Sequence, residues 1–314
     1  MKLKKVFILT TLFLTIQLVF FIRFKLNKDL QIQFIDVGQG DSILITTPNK
    51  QLILVDGGPD TNNNLQNVLD SKFFFTSCTI STIVATHPHE DHIKGLSKVL
   101  DTCKVENIFL TNTYYESDEY LAFLQKVKAE NANVKYVETT DKFTIDNVSF
   151  DVLWPSYKIL TGDVDLNCTT LKTCTSTKCL QPELYSMLNK NPIKCKNPNY
   201  VSVVLKVTYN EFDTLLTGDA EDLIQEKIAQ LNKMSRIEVL KVPHHGSSDS
   251  LDNKVIDKIN PLLAIISSGK NNVYKHPHTN VLGAFSDRKV MTLRTDEKGT
   301  ITIKSDGVKF WVQD

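Results

Sequence analysis

The stretch His87-Pro88-His89-Glu90-Asp91-His92 follows an apolar run at residues 80–86 that has the length of a buried strand. Imidazole and carboxylate groups hold zinc or manganese and leave positions open for water and substrate. In a loop that leaves this strand, His87 and His89 can converge on one metal ion, while Asp91 and His92 begin the next helix and can face a second. A helix cap at Asp91 beside incidental histidines is the weaker interpretation. The stretch therefore predicts a site for two metal ions.

The remaining histidines repeat this placement. All seven histidines of the chain lie in three short windows, and the other two are His244-His245 and His276-Pro277-His278. Histidines scattered through a core or over a surface would not cluster in this way. Each window follows an apolar run, at an edge of the predicted sheets where loops gather and sites form. We expect the three windows to meet.

A site for two metals needs a bridging carboxylate, and Asp219 supplies one. It follows an apolar run at residues 212–217, and Gly218 permits a tight turn before it. Asp219 also has the position of an N-cap for a helix that begins at residue 220. An aspartate can cap a helix and bridge two metals at once, so both roles are expected.

The order of elements predicts the fold class. Strand-like runs come first, strands then alternate with helices, residues 202–209 and 212–217 form a hairpin, and three short strands close the chain. Such a mixture predicts an α/β protein with two sheets covered by helices, an αββα layering.

These motifs together resemble the metallo-β-lactamase superfamily, and more narrowly the extracellular metallo-β-lactamase-like domain of the ComEC family of competence proteins. The resemblance covers most of residues 30–314 and implies the four-layer αββα sandwich. The matching runs are residues 34–42, 54–58, 87–92, 215–219, 239–247, 265–269, 276–277 and 294–296.

The resemblance also implies roles. It places two divalent ions, zinc or manganese, on a ligand set: His87, His89, Asp91, His92, Asp219 and His276. Asp91 would orient the attacking hydroxide as well as bind metal, and either His244 or His245 would be the general acid. His278 is expected to be structural.

Other residues are expected to support the site. By resemblance Asp56 orients the metal-binding loop, and Asn199 takes the place of a third histidine that many superfamily members have, which leaves one metal with fewer protein ligands. Gly246 and Ser247 could hold a phosphate oxygen, and Lys275 either reaches an anionic substrate or lies in solvent. Asp36 and Asp41 flank glycines, where a structural turn and a functional role remain equally open.

The function predicted from these features is that of a metal-dependent phosphodiesterase or nuclease acting on extracellular DNA, linked to DNA uptake. One alternative is a metallohydrolase of a lactam, a lactone or a phosphocholine ester. The other is a non-catalytic DNA-handling protein, which the missing third histidine favours and the intact first window opposes. Nothing in the sequence identifies a protein partner.

The N-terminal residues 1–28 predict a membrane-targeting segment. Residues 2–28 carry six basic residues and no acidic one, around an apolar run at residues 6–22. An uncleaved signal anchor is the first interpretation, because no small-residue cleavage site follows, and a signal peptide is the second. Either would leave the hydrolase domain, residues 29–314, outside the membrane, anchored or secreted.

The cysteines favour the same location. Four of the six lie within residues 168–195, in an insert at about residues 156–200 that is poor in periodic apolar residues. We expect a loop insertion closed by two disulfides, with a four-cysteine structural zinc as the alternative. Residues 168–200 have a net charge of +4 and could form a basic lip beside the site.

The overall charge of zero conceals two opposite parts. Residues 29–314 contain 30 basic and 36 acidic residues, a net charge of −6, so the domain is a poor non-specific DNA binder by its own surface. Positive charge for a phosphate substrate would instead be local, and two divalent ions would supply most of it.

Overall fold

The computed structural model describes residues 29–173, 181–231 and 233–313, with Phe13, Thr15 and Gln17 near the N-terminus. The strands are β1 (Leu30–Phe34), β2 (Ile43–Thr46), β3 (Leu52–Val55), β4 (Thr79–Val84), β5 (Lys104–Leu110), β6 (Asn133–Tyr136), β7 (Lys142–Ile145), β8 (Val148–Trp154), β9 (Cys168–Thr170), β10 (Ile193–Cys195), β11 (Val204–Tyr209), β12 (Phe212–Leu216), β13 (Val239–Lys241), β14 (Leu263–Ile266), β15 (Met291–Arg294), β16 (Ile301–Ser305) and β17 (Phe310–Gln313). The helices are α1 (Asn64–Lys72), α2 (Glu90–Thr102), α3 (Asp118–Ala129), α4 (Tyr157–Gly162), α5 (Pro182–Met187), α6 (Asp222–Gln230), α7 (Asn253–Ile259), α8 (Thr279–Asp287) and α9 (Thr295–Lys298).

Two mixed sheets form the centre of the fold. The first has eight strands in the order β17-β16-β1-β2-β3-β4-β5-β6, and its strands from β3 to β6 are parallel. The second has seven strands in the order β15-β14-β13-β12-β11-β8-β7, and its strands from β12 to β15 are parallel. Each sheet therefore has a parallel half, whose carboxyl-terminal strand ends lie along one edge, which is where sites form in such sheets.

Three apolar clusters separate the layers. The middle cluster joins inward side chains of both sheets, such as Phe34 and Val84 with Phe150 and Leu205. An outer cluster packs α1, α2 and α3 on the first sheet, and another packs α6, α7 and α8 on the second. The two faces of β1 differ, one buried and the other half-buried, so burial alternates along this strand. β14 is covered on both faces and is therefore buried at every residue. The predicted α/β layering is confirmed.

The predicted hairpin is confirmed as the antiparallel pair β11–β12, and the three closing strands are β15, β16 and β17. The helix predicted from residue 220 begins later, at Asp222, and ends at Gln230. The strands β6, β7 and β8 lie in a stretch for which no element is predicted from the sequence, although buried Val148, Phe150 and Val152 alternate with half-buried polar residues in β8.

The insert has more structure than the predicted loop. It contains α4, α5 and a two-stranded sheet of β9 and β10, and its Leu160 and Leu184 are fully buried in the two outer clusters. A disulfide joins Cys168 to Cys195, so these cysteines do not serve a four-cysteine zinc site. Cys174 and Cys179 lie outside the described residues. The remaining two cysteines, Cys78 and Cys103, also form a disulfide, which fixes the end of α2 to the start of β4.

The predicted membrane segment at residues 1–28 falls almost entirely outside the described residues. Within the part of the chain that the structure describes, no helix is long and apolar enough to span a bilayer.

Candidate metal centre

The first sheet contributes the residues that follow β3 and β4. These strands are parallel, so Asp56 and the His87 window emerge at the same edge. Asp56 accepts hydrogen bonds from the Thr86 amide at 2.8 Å, from the Thr86 hydroxyl at 2.7 Å and from His92 Nδ1 at 2.7 Å. Asp56 was predicted to support the metal-binding loop, and its buried carboxylate does so by hydrogen bonds at both ends of the histidine window, to Thr86 and to His92.

Two glycines allow α2 to approach this edge closely. A Cβ atom on Gly95 would lie 1.9 Å from the Gly57 carbonyl oxygen, and one on Gly57 would lie 2.2 Å from the Leu96 nitrogen. The contact is held by hydrogen bonds from Gly57 N to the His92 carbonyl and from Gly95 N to the Gly58 carbonyl. Any side chain there would push α2 outward and move His92 away from Asp56.

The second sheet contributes the residues that follow β12 and β13, which are also parallel. Asp219 follows β12, and its amide donates to the Ser202 hydroxyl. His244 and His245 follow β13 with φ angles of 46° and 54°, a left-handed conformation that is rare and costly for consecutive non-glycine residues. This sharp turn brings both rings toward Asp219.

Four histidines from the two sheets surround one carboxylate oxygen. Asp219 Oδ2 lies 3.4 Å from His92 Nε2 and 3.7 Å from His87 Nε2, both on the first sheet. It lies 3.7 Å from His245 Nε2 and 3.9 Å from His244 Nε2 on the second sheet. Asp219 therefore occupies the central position that was predicted for the bridging carboxylate.

Two of the five groups of possible ligand atoms in the described residues, each within 4.8 Å, overlap at His92 beside Asp219. One group is His87, His92 and Asp219, and the other is Asp91, His92 and His245. In the second group, Asp91 Oδ2 lies 3.3 Å from His245 Nε2. The half-buried His89 joins the first group through its ring, with its Nδ1 3.0 Å from His87 Nε2.

The unsatisfied atoms at this centre fit a cation. His92 Nε2, His245 Nε2 and Asp219 Oδ1 are buried without a hydrogen-bond partner, an arrangement that is costly unless something else binds there. The opposite ring nitrogens are satisfied: His92 Nδ1 donates to Asp56, and His245 Nδ1 donates to the Ser267 carbonyl at 3.0 Å. Such partners direct the lone pair of Nε2 at a metal.

His87 has the same orientation. The Thr86 hydroxyl uses its only hydrogen for Asp56, so its oxygen accepts from His87 Nδ1 at 3.0 Å. The proton is thereby placed on Nδ1, and the lone pair of Nε2 faces His89 Nδ1 at 3.0 Å and Asp219 Oδ2 at 3.7 Å.

The charges of the centre shift the pKa values of its histidines in opposite directions. Burial favours the neutral ring of His245, but Asp219 and Asp41 outweigh burial and raise its pKa to about 9. Burial is likewise outweighed at His92, whose pKa is raised well above its usual value by Asp219 and Asp56. At His87 burial prevails, with help from the neighbouring His92, and the pKa is lowered well below its usual value.

A buried ion pair that the sequence argument missed lies beneath the centre. Lys241, at the end of β13, is completely buried, and its ammonium group contacts Asp41, which is 1% exposed. The same ammonium donates to the Gly218 carbonyl at 3.0 Å and lies 3.9 Å from Asp219 Oδ1. Asp41, left open as a turn residue, also lies 3.5 Å from His245 Nδ1. The feature of the sequence that could have revealed this ion pair is a lysine inside an otherwise apolar run.

The rim of the centre is formed by His244, which is about a quarter exposed. Its Nδ1 lies 3.3 Å from Glu221 Oε1, and Glu221 in turn accepts a hydrogen bond from Asn199 at 3.0 Å. Burial lowers the pKa of His244, but Glu221 and Asp219 outweigh burial and raise it. Asn199 therefore holds Glu221, the carboxylate that faces the rim histidine.

The remaining predicted residues surround this rim. The ring of His276 lies 5.8 Å from that of His244, and among the described residues His276 belongs to no group of ligand atoms. The Ser247 hydroxyl donates to Asp249, the Gly246 carbonyl accepts from the His278 amide, and Lys275 is exposed. His278 precedes α8 and its ring contacts the Tyr274 carbonyl, in keeping with the structural role predicted for it.

Comparisons with known proteins agree with this geometry. Residues 35–163 match the family model of the metallo-β-lactamase superfamily, and this span contains the whole first-sheet half of the centre. The chain is a metallo-β-lactamase superfamily protein. The same fold is found in the metallo-β-lactamase fold protein YhfI from Bacillus subtilis, with a TM-score of 0.51, 10% identity, and coverage of 91% of this chain and 100% of that one.

Two curated relatives are competence proteins. ComE operon protein 3 of Bacillus subtilis (strain 168) is 26% identical over 302 residues, which is 91% of this chain and 34% of that protein. Competence protein ComA of Neisseria gonorrhoeae is 30% identical over 37% of this chain and 17% of that protein. The chain thus spans about a third or less of these relatives. This metallo-β-lactamase superfamily chain is close to the ComEC proteins, and its hydrolase fold implies divalent metal ions.

Proposed function

We propose that this chain is a phosphodiesterase that cuts DNA with two bound divalent ions, zinc or manganese. The observation that carries the proposal is the set of inward nitrogens around Asp219, three of them on rings whose Nδ1 is already hydrogen-bonded. A centre of this kind has positions for two cations and one shared carboxylate. The curated relative that is named as a competence protein favours DNA among the possible phosphodiesters.

The ligand set that we propose differs in one position from the expected one. His87, His89 and Asp219 would hold one ion, and Asp91, His92 and Asp219 the other, with His245 in the place expected for His276. When bound, the ions would supply a hydroxide at neutral pH and stabilise the charge that develops on the phosphate.

Asp91 has the right position to orient the attacking water. Its carboxylate is about one-third exposed, whereas His92, His245 and Asp219 are almost completely buried. One oxygen faces His245 Nε2 at 3.3 Å, so the other remains free to accept a hydrogen bond from water at the open side.

Of the two adjacent histidines, we assign the role of the general acid to His244. His245 is buried and faces the ligand atoms, whereas His244 lies at the rim with Glu221 behind it. A carboxylate at Nδ1 orients the ring and stabilises its protonated form, so that Nε2 can give a proton to the departing sugar oxygen.

We also propose that the domain faces the outside of the membrane, behind an N-terminal anchor at residues 1–28. The two described disulfides, Cys78–Cys103 and Cys168–Cys195, support an oxidising compartment, because stable disulfides are rare in the cytosol.

The test uses the full chain in detergent, loaded with zinc or manganese. Supercoiled DNA, single-stranded DNA, bis(4-nitrophenyl) phosphate and nitrocefin are offered separately. We expect both DNA forms or one of them to be cut, and Asp91→Asn to lower the rate by about 10²-fold or more. His278→Gln, which changes a histidine outside the centre, is the matched control and should retain activity.

The leaving group provides a second comparison. His244→Gln should slow the cleavage of DNA by about 10²-fold, because the sugar alkoxide needs a proton. It should slow the nitrophenyl ester far less, since nitrophenolate leaves without one. Cleavage of nitrocefin with no cleavage of any phosphodiester would refute the proposal, and so would full activity of Asp91→Asn.

A further inference from the structure

Gln39 connects the first sheet to the loop that carries His276. It lies in the loop between β1 and β2, and the backbone of Gly269 approaches it so closely that a Cβ atom on Gly269 would lie 2.6 Å from the Gln39 nitrogen. The half-buried side chain of Gln39 then reaches two groups on the second sheet's loop, at Gly269 and His276.

The orientation of the Gln39 amide follows from its first partner. The Gly269 backbone N–H lies 3.1 Å from one end of the amide, and a backbone N–H can only donate. That end must therefore be the oxygen, Oε1. The other end is the NH₂ group, which can only donate, and it lies 3.3 Å from His276 Nδ1.

His276 Nδ1 must consequently accept a hydrogen bond, which places the ring proton on Nε2. The four histidines around Asp219 have the opposite arrangement, because each Nδ1 faces an oxygen: Thr86 for His87, Asp56 for His92, Glu221 for His244 and Ser267 for His245. With the proton on Nδ1, His87, His92 and His245 can offer Nε2 to a metal, whereas His276 presents an N–H there. His244, the proposed general acid, acts with a proton on both ring nitrogens.

The position of His276 is fixed by its main chain as well. Asn272 Oδ1 accepts from the His276 amide at 2.9 Å, and Asn272 Nδ2 donates to the His276 carbonyl at 2.7 Å. The ring borders His244 at the rim of the centre, with the two ring centroids 5.8 Å apart. Neither nitrogen of this well-held ring offers a lone pair to a metal.

We propose that Gln39 is a positioning residue that keeps His276 neutral with its proton on Nε2, so that His276 donates a hydrogen bond to a non-bridging phosphate oxygen and binds no metal. This inference rests on the proposed phosphodiesterase function only for the identity of the acceptor. It assigns substrate recognition to a histidine that the sequence pattern placed among the ligands.

The protonation state is tested without substrate. Imidazole ¹⁵N spectra of the zinc-loaded full chain, assigned with single histidine variants, should show His276 protonated at Nε2 alone. Gln39→Glu replaces the donor with a carboxylate that accepts, so the proton should appear on Nδ1. A His276 ring protonated at Nδ1 in the wild type would overturn the proposal.

The ligand question is tested by metal content. His276→Ala should bind the same number of zinc ions as the wild type, with an affinity within about threefold, while His245→Ala should lose zinc. His278→Ala is the matched control for removing a nearby histidine. A loss of one zinc, or an affinity more than tenfold weaker in His276→Ala, would show that His276 is a ligand.

The recognition role is tested by kinetics and by binding. His276→Ala should raise KM for a phosphodiester about tenfold with a smaller change in kcat, since a hydrogen bond to a charged oxygen is lost. Gln39→Met should raise KM less, and its ring spectrum should show a mixture of both protonated forms. An unchanged KM in His276→Ala would refute the role.

Dimethyl phosphate separates this proposal from the proposed function. If the wild type cuts no DNA, the His276 Nε2–H resonance should still shift when dimethyl phosphate is added to the zinc-loaded protein. A resonance that does not move at saturating dimethyl phosphate would refute the donor role, whatever the activity.

Discussion

Replacing Lys241 with Met should destabilise the domain strongly. The side chain is completely buried at the end of β13, and its ammonium group contacts the equally buried Asp41. Methionine has a similar length and fills the space, so the change removes the charge and the hydrogen bond to the Gly218 carbonyl while keeping the volume. Asp41 would then be a buried carboxylate with no lysine partner.

The size of the effect can be worked from the pKa of Asp41. Burial alone would raise that pKa, but Lys241, His245 and His92 outweigh burial and lower it to about 2. A carboxyl pKa about 2 units below the unfolded value corresponds to roughly 2.5 kcal/mol, and breaking a buried pair costs about 3–5 kcal/mol. We expect Lys241→Met to lower the free energy of unfolding by about 3 kcal/mol.

Urea unfolding in the presence of a chelator, followed by tryptophan fluorescence, measures this loss. Lys206→Met is the control, because Lys206 pairs with Asp213 at 2.7 Å on the same sheet but both side chains are about one-fifth exposed. It should cost less than about 1 kcal/mol. The double variant Asp41→Asn with Lys241→Met should lose at least about 1.5 kcal/mol less than the sum of its parts.

The effect should also depend on pH in one direction. Because the pKa of Asp41 is lower in the folded state, its contribution is complete above about pH 4 and disappears as the pH falls toward 2. The difference between wild type and Lys241→Met should shrink over that window. The proposed role of the Lys241–Asp41 pair would be refuted if Lys241→Met lowered the free energy of unfolding no more than Lys206→Met does. It would also be refuted if the losses of the two single variants added strictly in the double variant.

Three other expectations follow from the same coordinates. Metal binding at pH 7 should release about two protons, because the pKa values of His92 and His245 are raised in the metal-free centre, and the affinity for metal should weaken as the pH is lowered. Calorimetry in buffers of different ionisation enthalpy counts the released protons, and a count near zero would contradict the raised pKa values. Gly95→Ala should lower the free energy of unfolding by about 2–3 kcal/mol and weaken metal binding, because its new Cβ meets the Gly57 backbone. The control is Gly283→Ala, in a helix where the new Cβ meets nothing within 4 Å; in thermal unfolding it should be neutral or stabilising by about 0.5–1 kcal/mol. Replacing both cysteines of the Cys168–Cys195 pair with serine should lower the free energy of unfolding by about 3–4 kcal/mol. The loss should be visible as faster proteolysis of the insert. An unchanged rate of proteolysis would mean that the insert holds its structure by packing alone.

The sequence predicted the parts of the site that depend on strand order. His87, His92 and Asp219 each follow an apolar strand, and the carboxyl ends of parallel strands share an edge. That rule is local and can be applied without coordinates. The choice between His245 and His276 could not be made in this way, because it depends on the Ser267 carbonyl and on the Gln39 amide. Those partners lie 22 and 237 positions away and leave no periodic signal.

The buried lysine shows a second kind of limit. Lys241 interrupts an apolar strand by one residue, and a sequence alone does not tell whether such a charge faces solvent or a buried partner. Its partner, Asp41, lies two hundred positions earlier in a glycine turn. In the same way the insert was judged by its polar composition, although Leu160 and Leu184 anchor it in two separate cores.

The ligands come from both sheets, and this has a consequence for how the domain moves. His87 and His92 belong to the first half of the chain, and Asp219 and His245 to the second, so a bound cation would add a link between two layers that apolar contacts and the Lys241–Asp41 ion pair already join. Separation of the sheets would then require the ion to leave. Hydrogen exchange in β4 and in β13 should slow together when zinc is added, and the rate at which a chelator removes zinc would report how often the two layers part.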